Sequence, residues 1–176
     1  MTSAYDIYRA AFRQCGVIET SDIDATVDIL RCLAAGRRAR GHNVGVIGGS
    51  GGSAVNFSDA ADAFGLKLVP LAHTTLSILE KNLPSMGSVQ NPIDYTASFI
   101  TGPDDLRFLH CVEAILADPQ VDQVAVLLAL TAGDRFTMVA QFLAKALKSS
   151  AKPVTVFSSV PRESSTEALD LLVAEQ

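Results

Sequence analysis

The residues best suited to chemistry lie in Gly48-Gly49-Ser50-Gly51-Gly52-Ser53, directly after the apolar run Val44-Gly45-Val46-Ile47. Four glycines in five residues free the backbone for positive φ and for close approach to a ligand. Ala54, Phe57, Ala61 and Phe64 then recur at helical spacing. The first N–H groups of that helix, and the positive end of its dipole, would point at the loop. The combination describes an anion site suited to phosphate, or a tight strand-to-helix turn with no ligand, and spacing alone leaves both open. Gly49, Ser50, Gly51, Gly52 and Ser53 are the leading phosphate-binding candidates. Gly49 to Ala54 also fits the dinucleotide pattern G-x-G-x-x-A. That pattern needs a carboxylate at the end of the second strand, and Leu68-Val69-Pro70-Leu71-Ala72-His73 has none. No G-K-[ST] is present, so the loop is not a nucleotide-hydrolysing P-loop, and no G-x-S-x-G elbow occurs.

Further candidates stand at other predicted strand ends: Asn91 and Asp94 in the stretch Asn91 to Ser98, and Thr131 and Gly133 in Thr131 to Arg135. A turn-forming role is the competing reading for Asp94. His42, His73 and His110 share no ligand spacing, and no nucleophile or base accompanies His73, the best placed of them. No catalytic residue is assigned. Cys15, Cys32 and Cys111 form no C-x-x-C, which argues against metal binding and a disulfide framework and for a reducing cytoplasm. They read as small buried apolar residues.

The elements that position these loops follow from periodicity. Ile7, Tyr8, Ala11 and Phe12 form one helical face, with Ser3 as a start signal and Gly16 as a stop. Ser21 starts a second helix carrying Ile23, Val27, Leu30 and Ala34. The run Arg37-Arg38-Ala39-Arg40 reads as a solvated helix end, or as a patch steering an anionic ligand. From Asn43 the pattern becomes strand and helix in alternation. The strands are Val44–Ile47, Leu66–Leu71, Val89–Tyr95, Val124–Leu130 and Val154–Ser158, and the last helix spans Glu163–Ala174. Strict alternation predicts an α/β fold, a doubly wound five-stranded parallel sheet with right-handed crossovers and flavodoxin-like order 2-1-3-4-5. The switch point of that order lies between the first and third strands. Residues 1–41 read as a helical extension, the tail of a preceding domain packed on this one, and residues 42–176 as the flavodoxin-like domain.

Composition narrows the function classes. The 176 residues carry 14 Lys+Arg against 19 Asp+Glu, a net charge of −5 that argues against a nucleic-acid surface. The longest apolar run, Val124 to Leu130, is far shorter than the roughly 18 residues of a membrane span. The N-terminus has neither the basic region nor the apolar stretch of a secretory signal.

Taken in order, several stretches resemble the NDP-forming acyl-CoA synthetases, the ADP-forming acetyl-CoA synthetases and their relatives in the succinyl-CoA synthetase superfamily. They are Tyr5-Asp6-Ile7-Tyr8-Arg9-Ala10-Ala11-Phe12-Arg13-Gln14-Cys15-Gly16-Val17-Ile18, Val46 to Gly52, Pro70-Leu71 with Thr75-Leu76, Ser88-Val89-Gln90-Asn91-Pro92-Ile93-Asp94, and Asp118-Pro119-Gln120-Val121-Asp122. The resemblance implies the second flavodoxin-like ligase subdomain of such an enzyme, with the last helices of the first at its N-terminus. The parent would convert acid, CoA and ATP to acyl-CoA, ADP and phosphate, or the reverse, through a phosphohistidine. CoA, ATP/ADP and Mg would be cofactors of that parent and none of this fragment. Its partners would be the CoA-binding, first ligase and ATP-grasp domains and a small-molecule acyl substrate, with a homo-oligomer left open. The family's histidine stands in a Ser-His-Thr-Gly stretch before the segment matched by Tyr5, and this chain starts after it. The fragment alone is therefore expected to be inactive. The family loop reads Thr-Asn-Ser-Gly-Gly followed by Ala or Pro and Gly. Here Gly48 and Gly49 replace its Thr and Asn, and Ser53-Ala54 replaces its last pair. Two other readings remain: the same domain from a bacterial protein acetyltransferase, and a free-standing flavodoxin-like binding module without catalysis.

Overall fold

The computed structural model describes residues 5–97 and 99–174. It divides into two compact units, Met1–Gly36 and Arg37–Gln176.

The first unit holds α1 (Tyr5–Gln14) and α2 (Ile23–Ala34), and neither helix buries a residue. Ser3 lies outside the described residues. Gly16 ends α1 as expected, at φ +68°. Asp22, one residue after the expected Ser21, caps α2 by accepting the Ala25 N–H at 2.8 Å. The Tyr5 hydroxyl donates to Glu19, which also pairs with Arg9 at 3.0 Å. Ile7 and Ile23 remain 72% and 80% exposed, because two short helices cannot form a core between them. Cys15 and Cys32 are exposed too, contrary to the buried reading, and only Cys111 is buried.

The second unit is the α/β domain. Its order is β1 (Asn43–Gly48), α3 (Gly51–Ala63), β2 (Lys67–Leu68), α4 (His73–Asn82), β3 (Ile93–Asp94), α5 (Arg107–Ala117), β4 (Gln123–Leu127), α6 (Gly133–Leu147), β5 (Val154–Phe157) and α7 (Thr166–Ala174). The last helix starts at Thr166, after a 3₁₀ turn over Arg162–Ser164. All named strands pair in parallel. Val44, Val46, Ala125 and Leu127 meet Phe57 of α3 on one face of the sheet. Ile47, Val124 and Val126 meet α4 to α7 on the other, where Phe108, Phe136 and Leu143 are fully enclosed. A strand covered on both faces is apolar at every position, as β1 and β4 are after their first residue.

The strand order corrects the expected 2-1-3-4-5. The path is β2-β1-β4-β5, and β3 pairs with β1 instead of standing between β1 and β4. One edge of β1 carries β4 along its length, from Val44↔Gln123 to Gly48↔Leu127. The other is shared: β2 takes Asn43 and Val44, and β3 takes Ile47 and Gly48. Between them the Asn91 side chain stands in for a strand. Its carboxamide oxygen accepts the Val46 N–H at 2.9 Å, and its nitrogen donates to the carbonyls of Val44 at 2.8 Å and Val69 at 3.0 Å. Pro92 has no N–H to give, so the chain before Ile93 cannot run a full ladder, and the amide side chain completes it.

This order moves the switch point. The β1 crossover through α3 leads to β2 on one side, and the β3 crossover through α5 leads to β4 on the other. The crevice therefore opens between β1 and β4, not between β1 and β3. The loops after β1 and β4 still face it.

Candidate functional site

The glycine loop sits where β1 becomes α3, but its glycines do not serve the expected purpose. None of Gly48, Gly49, Gly51 and Gly52 is among the positive-φ residues. Gly48 and Gly49 are required by crowding. A Cβ on Gly48 would stand 2.9 Å from the Leu127 Cβ, and one on Gly49 would stand 2.8 Å from Tyr95 Cε2. Gly51 and Gly52 have room, their nearest neighbours being Asp94 Oδ2 and Ser50 Oγ, each at 3.9 Å. Ser50 is the N-cap residue, in extended conformation, and its hydroxyl accepts the Ser53 N–H at a long 3.5 Å. The Ala54 N–H bonds the Ser50 carbonyl at 3.1 Å. Among the described residues the N–H groups of Gly51 and Gly52 have no partner, leaving two donors at the positive end of a 13-residue helix.

The neighbouring loops close around this point. The Gly49 N–H reaches the Leu127 carbonyl at 3.4 Å, which ties the turn to the end of β4. Asp94 ends β3 opposite Gly48, and its Oδ1 accepts the Thr96 N–H at 2.8 Å, the turn-forming role weighed for it. Its Oδ2 faces Gly51. After β4 the chain turns at Ala129, which adopts φ +48° although it has a Cβ. Thr131 then donates its N–H to the Leu128 carbonyl at 3.0 Å, and Gly133 opens α6 at φ +56°. Ala132, at the N-cap, has no oxygen to close the helix start. A recess of about 270 Å³ lies beside α3 at the carboxyl ends of β4 and β5, lined by Ser53, Asn56, Phe57, Leu127, Phe157 and Ser159. Phe57 meets Phe157 edge-on there, at 5.8 Å between ring centres.

The structure thus brings Gly49 to Ser53 and Asp94 together and sets Asn91 apart, its carboxamide already spent on the sheet edge. Thr131 and Gly133 stand at the same end of the sheet, after β4. Ser98 lies outside the described residues. Two residues escaped the sequence reading. Tyr95 is 4% exposed and lies under Gly49, and its phenol is pushed up to about 12 by burial and then by the Asp94 charge. Arg135, in the first turn of α6, reaches the Ala97 carbonyl at 3.5 Å and pulls the phenol the other way. No signal in the sequence marked Tyr95, whose contact with Gly49 exists only in the folded chain.

The remaining candidates lie elsewhere. His42, His73 and His110 are exposed, and His73 is the first residue of α4. Arg37 donates to Ser150 and, at 3.3 Å, to Leu147, the end of α6. Arg38, Arg40 and Lys152 border a recess of about 260 Å³ with Asp122, before β4 and β5 and so at the opposite end of the sheet. Lys152 donates to the Asp118 carbonyl at 2.6 Å.

A glycine turn at β1, an uncapped pair of N–H groups and an α/β sheet of this order coincide with a family model described as Ligase-CoA domain, which matches residues 44–158. The chain belongs to the Ligase-CoA domain family, a domain of the NDP-forming acyl-CoA synthetases. This Ligase-CoA domain is 33% identical, over 80% of the chain and 20% of the relative, to acetate–CoA ligase [ADP-forming] I of Archaeoglobus fulgidus. It is 34% identical to the alpha subunit of acetate–CoA ligase [ADP-forming] II of Pyrococcus furiosus, over 69% of the chain and 26% of that subunit. The crystal structure of PH0766 from Pyrococcus horikoshii OT3 superposes with a TM-score of 0.85 at 29% identity, covering 99% of this chain and 40% of that one. The Ligase-CoA domain is thus homologous to part of an ADP-forming acetyl-CoA synthetase and spans between a fifth and about a quarter of these two curated relatives. No described helix is long and apolar enough to cross a membrane.

Proposed function

We propose that this chain is the second flavodoxin-like ligase subdomain of an NDP-forming acyl-CoA synthetase. Residues 42–176 form that subdomain, and residues 1–41 are the tail of the subdomain before it. The parent joins an acid and CoA with cleavage of ATP to ADP and phosphate, or runs the reverse. This chain holds the phosphoryl group carried on a histidine of the neighbouring subdomain, and none of its own histidines takes that role. The observation that carries the reading is the pair of unpartnered N–H groups on Gly51 and Gly52 at the start of α3, in a member of this family.

A phosphoryl group in transfer spreads negative charge over its oxygens, and catalysis consists largely of positioning and of donors fixed beforehand where that charge develops. Gly51 and Gly52 supply two such donors, the α3 dipole adds to them, and the Ser50 and Ser53 hydroxyls stand beside them. Thr131 and Gly133 complete the set at the start of α6, and Asp94 forms the rim. Among the described residues no three carboxylate, histidine or cysteine side chains converge on a metal-sized point. The Mg accompanying the nucleotide is assigned to the ATP-grasp part of the parent, as are ATP and ADP, and CoA to its CoA-binding domain. A cytoplasmic location fits these substrates.

Titration of the labelled chain with inorganic phosphate tests the site. Charge-assisted hydrogen bonds contribute roughly 1.5–3 kcal/mol each, and immobilising a small ion offsets several kcal/mol. A net of about −4 kcal/mol gives a Kd on the order of 1 mM. Amide shifts should cluster at residues 49–54 and weaken with salt. Gly51→Pro should abolish them while preserving the fold. Proline suits the first helical position, Ser50 already has an extended backbone (φ −149°, ψ 116°), and the space at Gly51 is open. Shifts confined to Arg37–Arg40 would refute the reading. The chain alone, given acetate, ATP and CoA, should show no turnover above a boiled control.

A further inference from the structure

Tyr95 is built into the glycine turn more tightly than a core aromatic needs to be. Its N–H donates to the Gly48 carbonyl at 2.9 Å, and its ring packs on Phe99 at 5.9 Å and edge-on against Phe108 at 5.4 Å. The hydroxyl oxygen comes 3.3 Å from where a Cβ on Gly49 would stand, so the phenol tip lies against the turn that opens α3. The residue is 4% exposed. Among the described residues nothing bonds its hydroxyl, yet that oxygen is not sealed in. The only described side-chain oxygen that is both fully enclosed and unpartnered is that of Ser165. A phenylalanine would make the same ring contacts. The hydroxyl therefore adds only a donor, held against Gly49, two residues before the first of the two free N–H groups.

We propose that the Tyr95 hydroxyl is a third hydrogen-bond donor to the bound phosphoryl group, acting with the Gly51 and Gly52 N–H groups. The inference rests on the reading that this loop holds a phosphoryl group. The charged groups facing the phenol are Asp94, on its own segment, and Arg135, from α6. Burial and then the Asp94 charge push its phenol up to about 12, so at neutral pH it is protonated and can donate. Arg135 contributes attraction from the rim, which offsets the Asp94 carboxylate. Burying the ring fixes the donor direction in advance, so little rotamer freedom is lost when the anion binds.

The test uses the whole chain with ¹⁵N-labelled backbone and ¹³Cζ-labelled tyrosine, titrated with inorganic phosphate. The Gly51 and Gly52 amides and the Tyr95 Cζ signal should move along one saturation curve. Tyr95→Phe, which keeps the ring contacts, should bind phosphate at least about 10-fold more weakly, the loss expected for one hydrogen bond to an anion. Unmoved loop amides in the unmodified chain would refute the phosphoryl-site reading itself. Moving amides with a silent Tyr95 Cζ, or unchanged affinity in Tyr95→Phe, would overturn the role of Tyr95 and leave the loop site standing. Weaker binding in Tyr95→Phe with a silent Cζ would mark the effect as packing and equally overturn the proposal.

Discussion

Replacing Asn91 by alanine separates two roles for that residue, ligand contact and sheet completion. The structure supports the second, and the cost can be worked from its three bonds. Val46 is fully enclosed, and its N–H has the Asn91 oxygen at 2.9 Å as acceptor. Leaving a buried donor unpaired costs about 1–3 kcal/mol. The carbonyls of Val44 and Val69 lose donors at 2.8 and 3.0 Å. Each such bond is worth about 0.5–1.5 kcal/mol, and carbonyls tolerate the loss better than an N–H does. The sum is about 2–6 kcal/mol, a large fraction of the roughly 5–15 kcal/mol that holds a domain together. For a chain of this size it lowers Tm by about 4–24 °C. The chain has no tryptophan, so urea unfolding is followed by circular dichroism, with hydrogen exchange at the Val46 amide as the local readout. Asn91→Ala should be strongly destabilised and the Val46 amide should exchange rapidly. A loss under about 1 kcal/mol, with Val46 still protected, would refute the sheet-completion argument. Loss of phosphate binding at unchanged stability would restore Asn91 to the ligand site.

Other outcomes follow from the same coordinates. Cys15 and Cys32 are exposed, whereas Cys111 is buried and its thiol is pushed up to about 12 by burial; an Ellman titration should find two fast thiols and a third only after unfolding. A third fast-reacting thiol, or fewer than two, would contradict this exposure pattern. Arg107 at 2.6 Å, aided by Thr101, holds the Asp105 carboxyl well below its usual range. A depressed carboxyl stabilises the fold above its unfolded value near 4 and loses that contribution as pH falls through the folded one. The Arg107 side chain is 44% exposed, so Asp105→Asn should cost about 1 kcal/mol or less at pH 7, and the difference should shrink below about pH 4. A gap between the two proteins that is the same at pH 7 and pH 2.5 would exclude the ion pair as its source.

Local chemistry was enough to recognise much of this protein. The alternation of apolar runs and helical faces determined an α/β domain with a parallel sheet, because each strand and helix writes its own periodicity. The loop from Gly48 to Ser53 stood out because a strand, a glycine cluster and an amphipathic helix in succession are a local pattern. The Tyr5 to Ile18 stretch and the Asn91-Pro92-Ile93-Asp94 segment resembled the right family for the same reason. What the glycines do was decided only by the folded chain. Gly48 and Gly49 make room for Leu127 and Tyr95, residues some 80 and 46 positions away, and such crowding leaves no trace near the loop itself. The strand order was hidden likewise. β2 and β3 each have two paired residues, too few to encode which edge they join. Their shared place on β1 is set by the Asn91 carboxamide, a side chain substituting for backbone hydrogen bonds that Pro92 cannot supply. Tyr95 belongs to the candidate site for a reason of the same kind. Its hydroxyl meets the glycine turn only because β3 runs beside the end of β1, a pairing between residues more than forty positions apart.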